Sequence, residues 1–322
     1  MLRRLLPDPF IVALVAAVIL ATVLPATGLA AQGVAALSIA MVVMLFFFVG
    51  AKLSRASIAE GIAHWRLHLV ILASTFVLFP LLALALSKAL AGAFSPALWT
   101  GIFFLAALPS TVQSSIALTS IARGNVAAAV AAASVSQLLG IFLAPAIFSL
   151  LAGVNGGQVS PSAVGKIALE IFVPFIAGHL ARPWIADWVA RHKALIALTD
   201  RGTILVAVYA AFSAAVLEGI WHRLPLGDLL KLGALCAVIL TVALSFTYGL
   251  ARALGFNRED RIAIVFCGTK KSLVQGVPMA RVLFSGPDLG LILLPIMIFH
   301  QMQLMVCSAI ARRFAAGVSP DA

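Results

Sequence analysis

Two adjacent lysines, Lys270 and Lys271, stand in the middle of an apolar stretch from Ile262 to Phe284 that is long enough to cross a bilayer. An ammonium at that depth costs roughly 3 kcal/mol or more, so it must face a partner, a wet cavity or a ligand. The chemistry open to such a group is to pair with an anionic solute or to stand in for a bound cation. Thr269 and Ser272 flank the pair with hydroxyls, and Gly268, Gly276 and Pro278 weaken the helix around it. Neighbours on an intact helix point about 100° apart. A break between Gly268 and Gly276 would let both lysines face one small site. Broken helices at membrane depth occur only where they line a cavity or are buried in protein, and secondary transporters build midplane sites from them.

A second polar cluster lies at Leu108 to Asn125, LPSTVQSSIALTSIARGN. After Pro109 come Ser110, Thr111, Gln113, Ser114, Ser115, Thr119 and Ser120, a dense set of oxygens for a membrane helix. With unwound carbonyls, these groups could coordinate a small cation or hydrogen-bond an anion near a half-helix N-terminus. The plainer alternative is that the hydroxyls bond back to i−4 carbonyls or join helices. Arg123 reads as a topology determinant, and Asn125 either caps the next helix or reaches the cavity. Glu170 is the carboxylate deepest in an apolar run; it either neutralises one of the lysines or lies near the outer interface. His300, Gln301 and Gln303 fall near mid-membrane in PIMIFHQMQLM, which suggests a cavity-lining or gating role. His300 has no second ligand at metal spacing on its helix, so no metal site is expected. There is no GxSxG, Walker A, HExxH or dinucleotide fingerprint. The chain therefore reads as neither an enzyme nor an ATP-driven pump, and its energy source should be an ion gradient, the membrane potential or the solute's own gradient.

The elements that must position these residues are membrane helices. Of 322 residues, 63% are hydrophobic and 10% charged, with a mean hydropathy of +1.13. This describes an all-α integral membrane protein forming one transporter unit. The net charge of +11 comes from basic residues in short loops, which argues for orientation in an anionic membrane and against a nucleic-acid partner. Cys236, Cys267 and Cys307 are widely spaced in apolar segments and read as buried hydrophobes. The run from Phe10 to Leu24 is long for a signal-peptide core and reads as a retained first helix.

Ten apolar runs follow in order: 10–24, 34–49, 67–86, 98–121, 126–151, 164–180, 203–216, 229–250, 262–284 and 289–310. The interrupted fourth and ninth runs hold corresponding places in two halves of five, as expected of inverted repeats. With both termini cytoplasmic, fifteen basic residues fall on inside segments and five, Lys88, Lys166, Arg223, Lys231 and Arg281, on outside ones.

Three segments, SIARGNVAAAV, FCGTKKSLVQGVPMARVLF and PIMIFHQMQLMV, resemble the bile acid:sodium symporter superfamily in its bacterial sodium/bile acid symporter-like (SBF-like) branch. The resemblance covers nearly the whole chain. It implies ten transmembrane helices in two inverted five-helix repeats, with crossed discontinuous helices four and nine. It also implies a panel subdomain (about 8–50 and 162–220) and a core subdomain (about 66–153 and 228–312). Aligned on ARGN, Ser114 and Ser115 fall where sodium-coupled members hold ions. Ala129 and Ala133 fall where those members carry hydroxyls, with Ser134 and Ser136 close by, and Thr75 falls where they carry a glutamine. Phe266-Cys267-Gly268-Thr269-Lys270-Lys271 stands where the family has Glu-Val-Gly-Met-Gln-Asn, so the acidic ligand is gone and lysines replace the amides. The expectation is a secondary active transporter of a small organic anion, embedded in the lipid of the bacterial inner membrane, with no cofactor and with Na+ or H+ as the coupling ion. The competing reading is a non-transporting scaffold or regulatory protein that keeps the transporter fold. Oligomeric state is not assigned.

Overall fold

In the computed structural model the described residues are 9–52, 64–154, 168–220, 224–284, 286 and 288–316. Every regular element among them is helical. Two compact units emerge: residues 1–53, 160–225 and 277–293, and residues 54–159, 226–276 and 294–322.

The first unit contains α1 (Pro9–Val23), α2 (Gly28–Lys52), α7 (Val173–Arg191, entered through a π turn at Ala168–Phe172) and α8 (Lys193–Leu217). α2 and α7 approach until side chains no longer fit between them. A Cβ at Gly50 would strike the carbonyl of Phe175, and one at Gly178 would strike the carbonyl of Phe47. Small residues are the usual means of close helix contact in lipid, where no hydrophobic drive holds helices together. α8 starts ten residues before the apolar run at Thr203 because its polar first turns find partners. Lys52 pairs with Asp200 at 3.0 Å, and Thr203 Oγ1 donates to Met41 O at 3.3 Å. Val12, Val15 and Ile19 of α1 remain more than half exposed, as residues facing lipid do.

The second unit contains α3 (Trp65–Ala89, with a π turn at Ser74–Leu78), α4 (Pro96–Ala107), α5 (Val112–Ile121), α6 (Val126–Val154), α9 (Leu226–Ala253), α10 (Arg258–Gly268), the start of α11 (Leu273–Leu283) and most of α12 (Leu289–Ala316). α10 is the element the others enclose. On one side Ile264 and Cys267 pack with Ile71 of α3 and the alanines 128, 129, 132 and 133 of α6. On the other, Val265 and Phe266 pack with Leu118 of α5 and Cys307 of α12. Alanine at four facing positions lets α6 come close enough to bury a helix whose residues 262–268 are all inaccessible. The three cysteines are free and buried.

Two of the breaks have local causes. Pro109 offers no N–H and pushes Leu108 into an extended conformation (φ −68°, ψ 150°), which ends α4. α10 ends at Gly268, and Ser272 starts α11 by accepting from the N–H of Gln275 at 3.3 Å. This is one half of a Ser-x-x-Gln capping box.

The expectation of ten membrane-crossing helices in inverted repeats is not met. Among the described residues six helices are long and apolar enough to cross, namely α2, α3, α6, α8, α9 and α12; a seventh crossing requires counting α4 and α5, bent by 60°, as one. No inverted five-plus-five repeat is shown by these helices. The first run forms only 15 residues of helix. The helix of the sixth run carries Arg182, Asp187 and Arg191 besides Pro183. The ninth run splits into two helices of 11 residues, each about 17 Å long, a little over half of a ~30 Å hydrocarbon core. Arg3, Arg4, Arg55, Lys166 and Arg223, used in the charge count, and residues 164–167 of the sixth run lie outside the described residues.

The α2–α7 contact is testable. Gly178→Leu should lower thermal stability by about 1–3 kcal/mol through overpacking. Gly33→Ala, where nothing lies within 4 Å of the added carbon, should leave the melting curve unchanged or raise it. Equal behaviour of the two variants in detergent would refute the close contact.

Candidate functional site

The fourth- and ninth-run breaks lie against each other inside the second unit. Ser272 N donates to Pro109 O at 2.8 Å, and Ser115 Oγ donates to Phe266 O at 3.1 Å. A Cβ on Gly276 would collide with Leu108 and Ile296, so the restart of the ninth run needs glycine there.

Lys271 sits where these breaks meet. Its Nζ donates to Thr75 O at 2.8 Å, Ala106 O at 2.7 Å and Leu108 O at 2.8 Å, and it lies 4.2 Å from the centre of the Phe79 ring. The three N–H groups of the ammonium are thus all used, by oxygens that carry no formal charge. Each carbonyl is available for a local reason. Ala106 is in the last turn of α4, where carbonyls lack helical partners. The N–H of Ser110, four residues on, donates instead to Ser136 Oγ at 3.1 Å. Leu108 lies in the unwound segment. Thr75 lies in the π turn of α3, where the donor to its carbonyl shifts to residue 80. That residue is Pro80, which has no N–H. The C-terminal end of α4 also carries the negative pole of its helix dipole.

The backbone of Lys271 is held as firmly as its side chain. Its N–H donates to Gln303 Oε1, and Gln303 Nε2 donates to its carbonyl, both at 2.9 Å. The second amide hydrogen is directed at His300 Nδ1, 3.0 Å away, which then acts as acceptor. Gln303 therefore takes the part that a neighbouring strand would play for an unwound segment. Gln301 is half-buried and stands next to this clamp in sequence.

Lys270 differs. It is fully buried, yet its Nζ has no hydrogen-bond partner among the described residues. Thr119 Oγ1 is likewise buried and unpartnered. Thr269 Oγ1 donates to Val265 O at 2.6 Å, and Ser272 caps α11.

The hydroxyls of the fourth run form a chain: Ser110 Oγ lies 3.4 Å from Ser115 Oγ, and Thr111 Oγ1 lies 2.7 Å from Ser114 Oγ. Gln113 is exposed. Asn125 serves as a helix cap: its Oδ1 accepts from Ala128 N at 3.0 Å and its Nδ2 donates to Asp260 at 2.8 Å. Ser134 is half-buried, whereas Ser136 is fully buried and meets Ser110. Thr75 Oγ1 bonds back to Ile71 O at 2.8 Å, leaving its carbonyl as the contributing group. Glu170 is half-buried in the first unit. Sequence reasoning overlooked Gln275, whose Nε2 donates to Gln137 O at 3.2 Å. The Ser-x-x-Gln spacing after the lysines was the signal for it. Phe79 was also overlooked, because an aromatic ring in an apolar run does not announce a cation's company.

The two lysines should respond oppositely to removal. Lys271→Met orphans three carbonyls and should cost about 3–5 kcal/mol. Lys270→Met deletes an uncompensated charge and should leave stability unchanged or higher. Thermal unfolding of the purified protein reads both, and an equal loss would contradict the assignment of partners.

The model of the SBF-like CPA transporter family matches residues 8–316. A protein of Pseudomonas aeruginosa described as uncharacterized is 55% identical over 313 residues, covering 97% of this chain and 94% of that protein. The candidate symporter YfeH of Escherichia coli is 50% identical over 307 residues, 95% of this chain and 92% of its own. Sodium/bile acid cotransporter 7 of Rattus norvegicus is 28% identical over 278 residues, 84% and 80% of the two chains. The family match takes in both breaks, the π turn of α3 and Gln303, so this membrane chain belongs to the SBF-like CPA transporter family, a family of transporters and not of enzymes.

Proposed function

We propose that this protein is a secondary active transporter of a small organic anion bearing a carboxylate or sulfonate, and that Lys271 is its resident cation. The observation that carries the reading is the coordination of Lys271. An ammonium bonded by three converging carbonyls and an aromatic face occupies the kind of site in which transporters hold a coupling ion between broken helices. With that charge supplied by the chain, sodium is not required, in contrast to what the name of the rat cotransporter says of that protein. Lys270, buried without an acceptor among the described residues, is assigned to the solute's anionic group, and its gain and loss of a proton is assigned to coupling with H+. Ser110, Thr111, Ser114 and Ser115 are assigned to the polar wall beside it. We assign the gating panel role to the first compact unit and the solute-holding core role to the second. The excess of arginine at the helix ends near Arg123, Arg252 and Arg312 supports the bacterial inner membrane with both termini cytoplasmic.

The test is uptake by purified protein in liposomes. Replacing sodium by choline should leave organic-anion uptake unchanged, whereas an imposed proton gradient should drive it. Lys270→Met should weaken solute affinity about 10- to 100-fold, the loss of one buried charge-assisted hydrogen bond. Strict sodium dependence would overturn the resident-cation reading. Absence of uptake or binding for any organic anion would favour the scaffold reading instead.

A further inference from the structure

A separate cluster of charge lies in the second unit, at the ends of α9, α10 and α12. A cleft of about 220 Å³ is lined there by Tyr248, Arg258, Arg261, Ile262, Arg313 and Phe314. Among the described residues it thus holds three guanidinium groups and no carboxylate. Its floor is aromatic: the rings of Tyr248 and Phe314 stack with centroids 6.3 Å apart and planes inclined at 22°. Arg261 lies over Tyr248 at 6.0 Å, which fixes its guanidinium toward the cleft. Its Nε is buried with no acceptor among the described residues. Arg258 and Arg261 are three apart on α10 and so share a face. Arg258 Nη2 donates to Phe314 O at 2.6 Å, which ties that face to the end of α12.

The nearest acidic side chains in sequence do not neutralise the group. Glu259 and Asp260 do not line the cleft, and Asp260 already accepts from Asn125 Nδ2 at 2.8 Å. Three like charges around one small space repel one another unless an anion occupies it. Arginine's planar fork matches phosphate oxygens in a bidentate manner. The cleft lies where two membrane-crossing helices, α9 and α12, reach their C-terminal ends, the level at which phospholipid headgroups stand. Basic pockets between helices at that level recognise anionic headgroups.

We propose that this cleft binds a phosphate ester at the membrane edge, with Arg258, Arg261 and Arg313 holding the phosphate oxygens and the Tyr248–Phe314 pair supporting the attached glycerol. The site is independent of the lysines and of the transport reading.

The experiment uses the full chain in neutral detergent at physiological salt, where exposed charges separated by more than about 8 Å are largely screened. Binding is followed by native mass spectrometry and by thermal shift with phosphatidylglycerol, phosphatidylcholine, glycerol 3-phosphate and inorganic phosphate. Phosphatidylglycerol should bind and raise the melting temperature, and phosphatidylcholine should not. Arg261→Gln and Arg313→Gln should each weaken binding about tenfold or more, the loss of a charge-assisted hydrogen bond. Arg252→Gln and Arg312→Gln, which remove charge from the same end of the unit without touching the cleft, should leave binding unchanged. Arg313 is exposed, so its variant decides the matter even where Arg261→Gln folds poorly. A response to the lipid alone identifies a headgroup as the source of the phosphate, and an equal response to glycerol 3-phosphate identifies a soluble ester. Binding that fails to prefer phosphatidylglycerol over phosphatidylcholine while both soluble phosphates are also inert, or an equal loss in the cleft and control variants, overturns the proposal.

Discussion

The second unit depends on the accommodation of one ammonium, that of Lys271. A cation removed from water needs all of its donors satisfied, and the unit is arranged to provide three acceptors from two separate elements. α4 must stop near Ala107 to release its last carbonyls, and α3 must widen into a π turn and carry Pro80 to release that of Thr75. Pro80 withholds the N–H that the carbonyl of Thr75 would meet, Pro109 ends α4 so that the carbonyls of Ala106 and Leu108 stand free, and the lysine supplies a donor to all three. Defects that would weaken isolated helices become acceptors once a cation is present.

The same constraint accounts for the polar residues of α12. An unwound segment buried in protein leaves its peptide groups without partners, and each costs free energy comparable to a lost hydrogen bond. Gln303 satisfies both groups of Lys271 with one amide, and His300 receives the spare hydrogen. Gln303, read from the sequence with His300 and Gln301 as lining a cavity or gate, holds backbone in this structure. Lys270 is the exception to this accounting. Three oxygens satisfy one buried lysine, and its neighbour has no hydrogen-bond partner among the described residues, so the two differ in what remains to be bonded. The proposed transport reading rests on that difference.

The arginine cleft follows a different logic from the lysines. The lysines are wholly buried, so their effect is local and little screened. The arginines stand at helix ends, partly open, where screening limits each charge and only convergence on a common ligand gives them specificity.

The sequence by itself determined the membrane class, the all-α character, the family, and the two segments that break. The class and the breaks come from composition and from Pro, Gly, Ser and Lys at positions where apolar helix residues are the rule; the family comes from the resemblance of three motif segments. It overstated the number of crossings, because an apolar run marks burial but not unbroken length. The ninth run is apolar throughout its flanks yet forms two short helices, and the sixth ends in charged residues that its apolar core conceals. It also left Asn125 undecided between cap and cavity, since both roles require the same amide; the tertiary structure made it a cap by bringing Asp260 and Ala128 to it. Only the tertiary structure could distinguish Lys271 from Lys270. The acceptors of Lys271 are backbone carbonyls of residues 75, 106 and 108, and a carbonyl has no signature in the sequence. Whether it is free depends on where another helix begins and ends, and on which side chain comes to meet it.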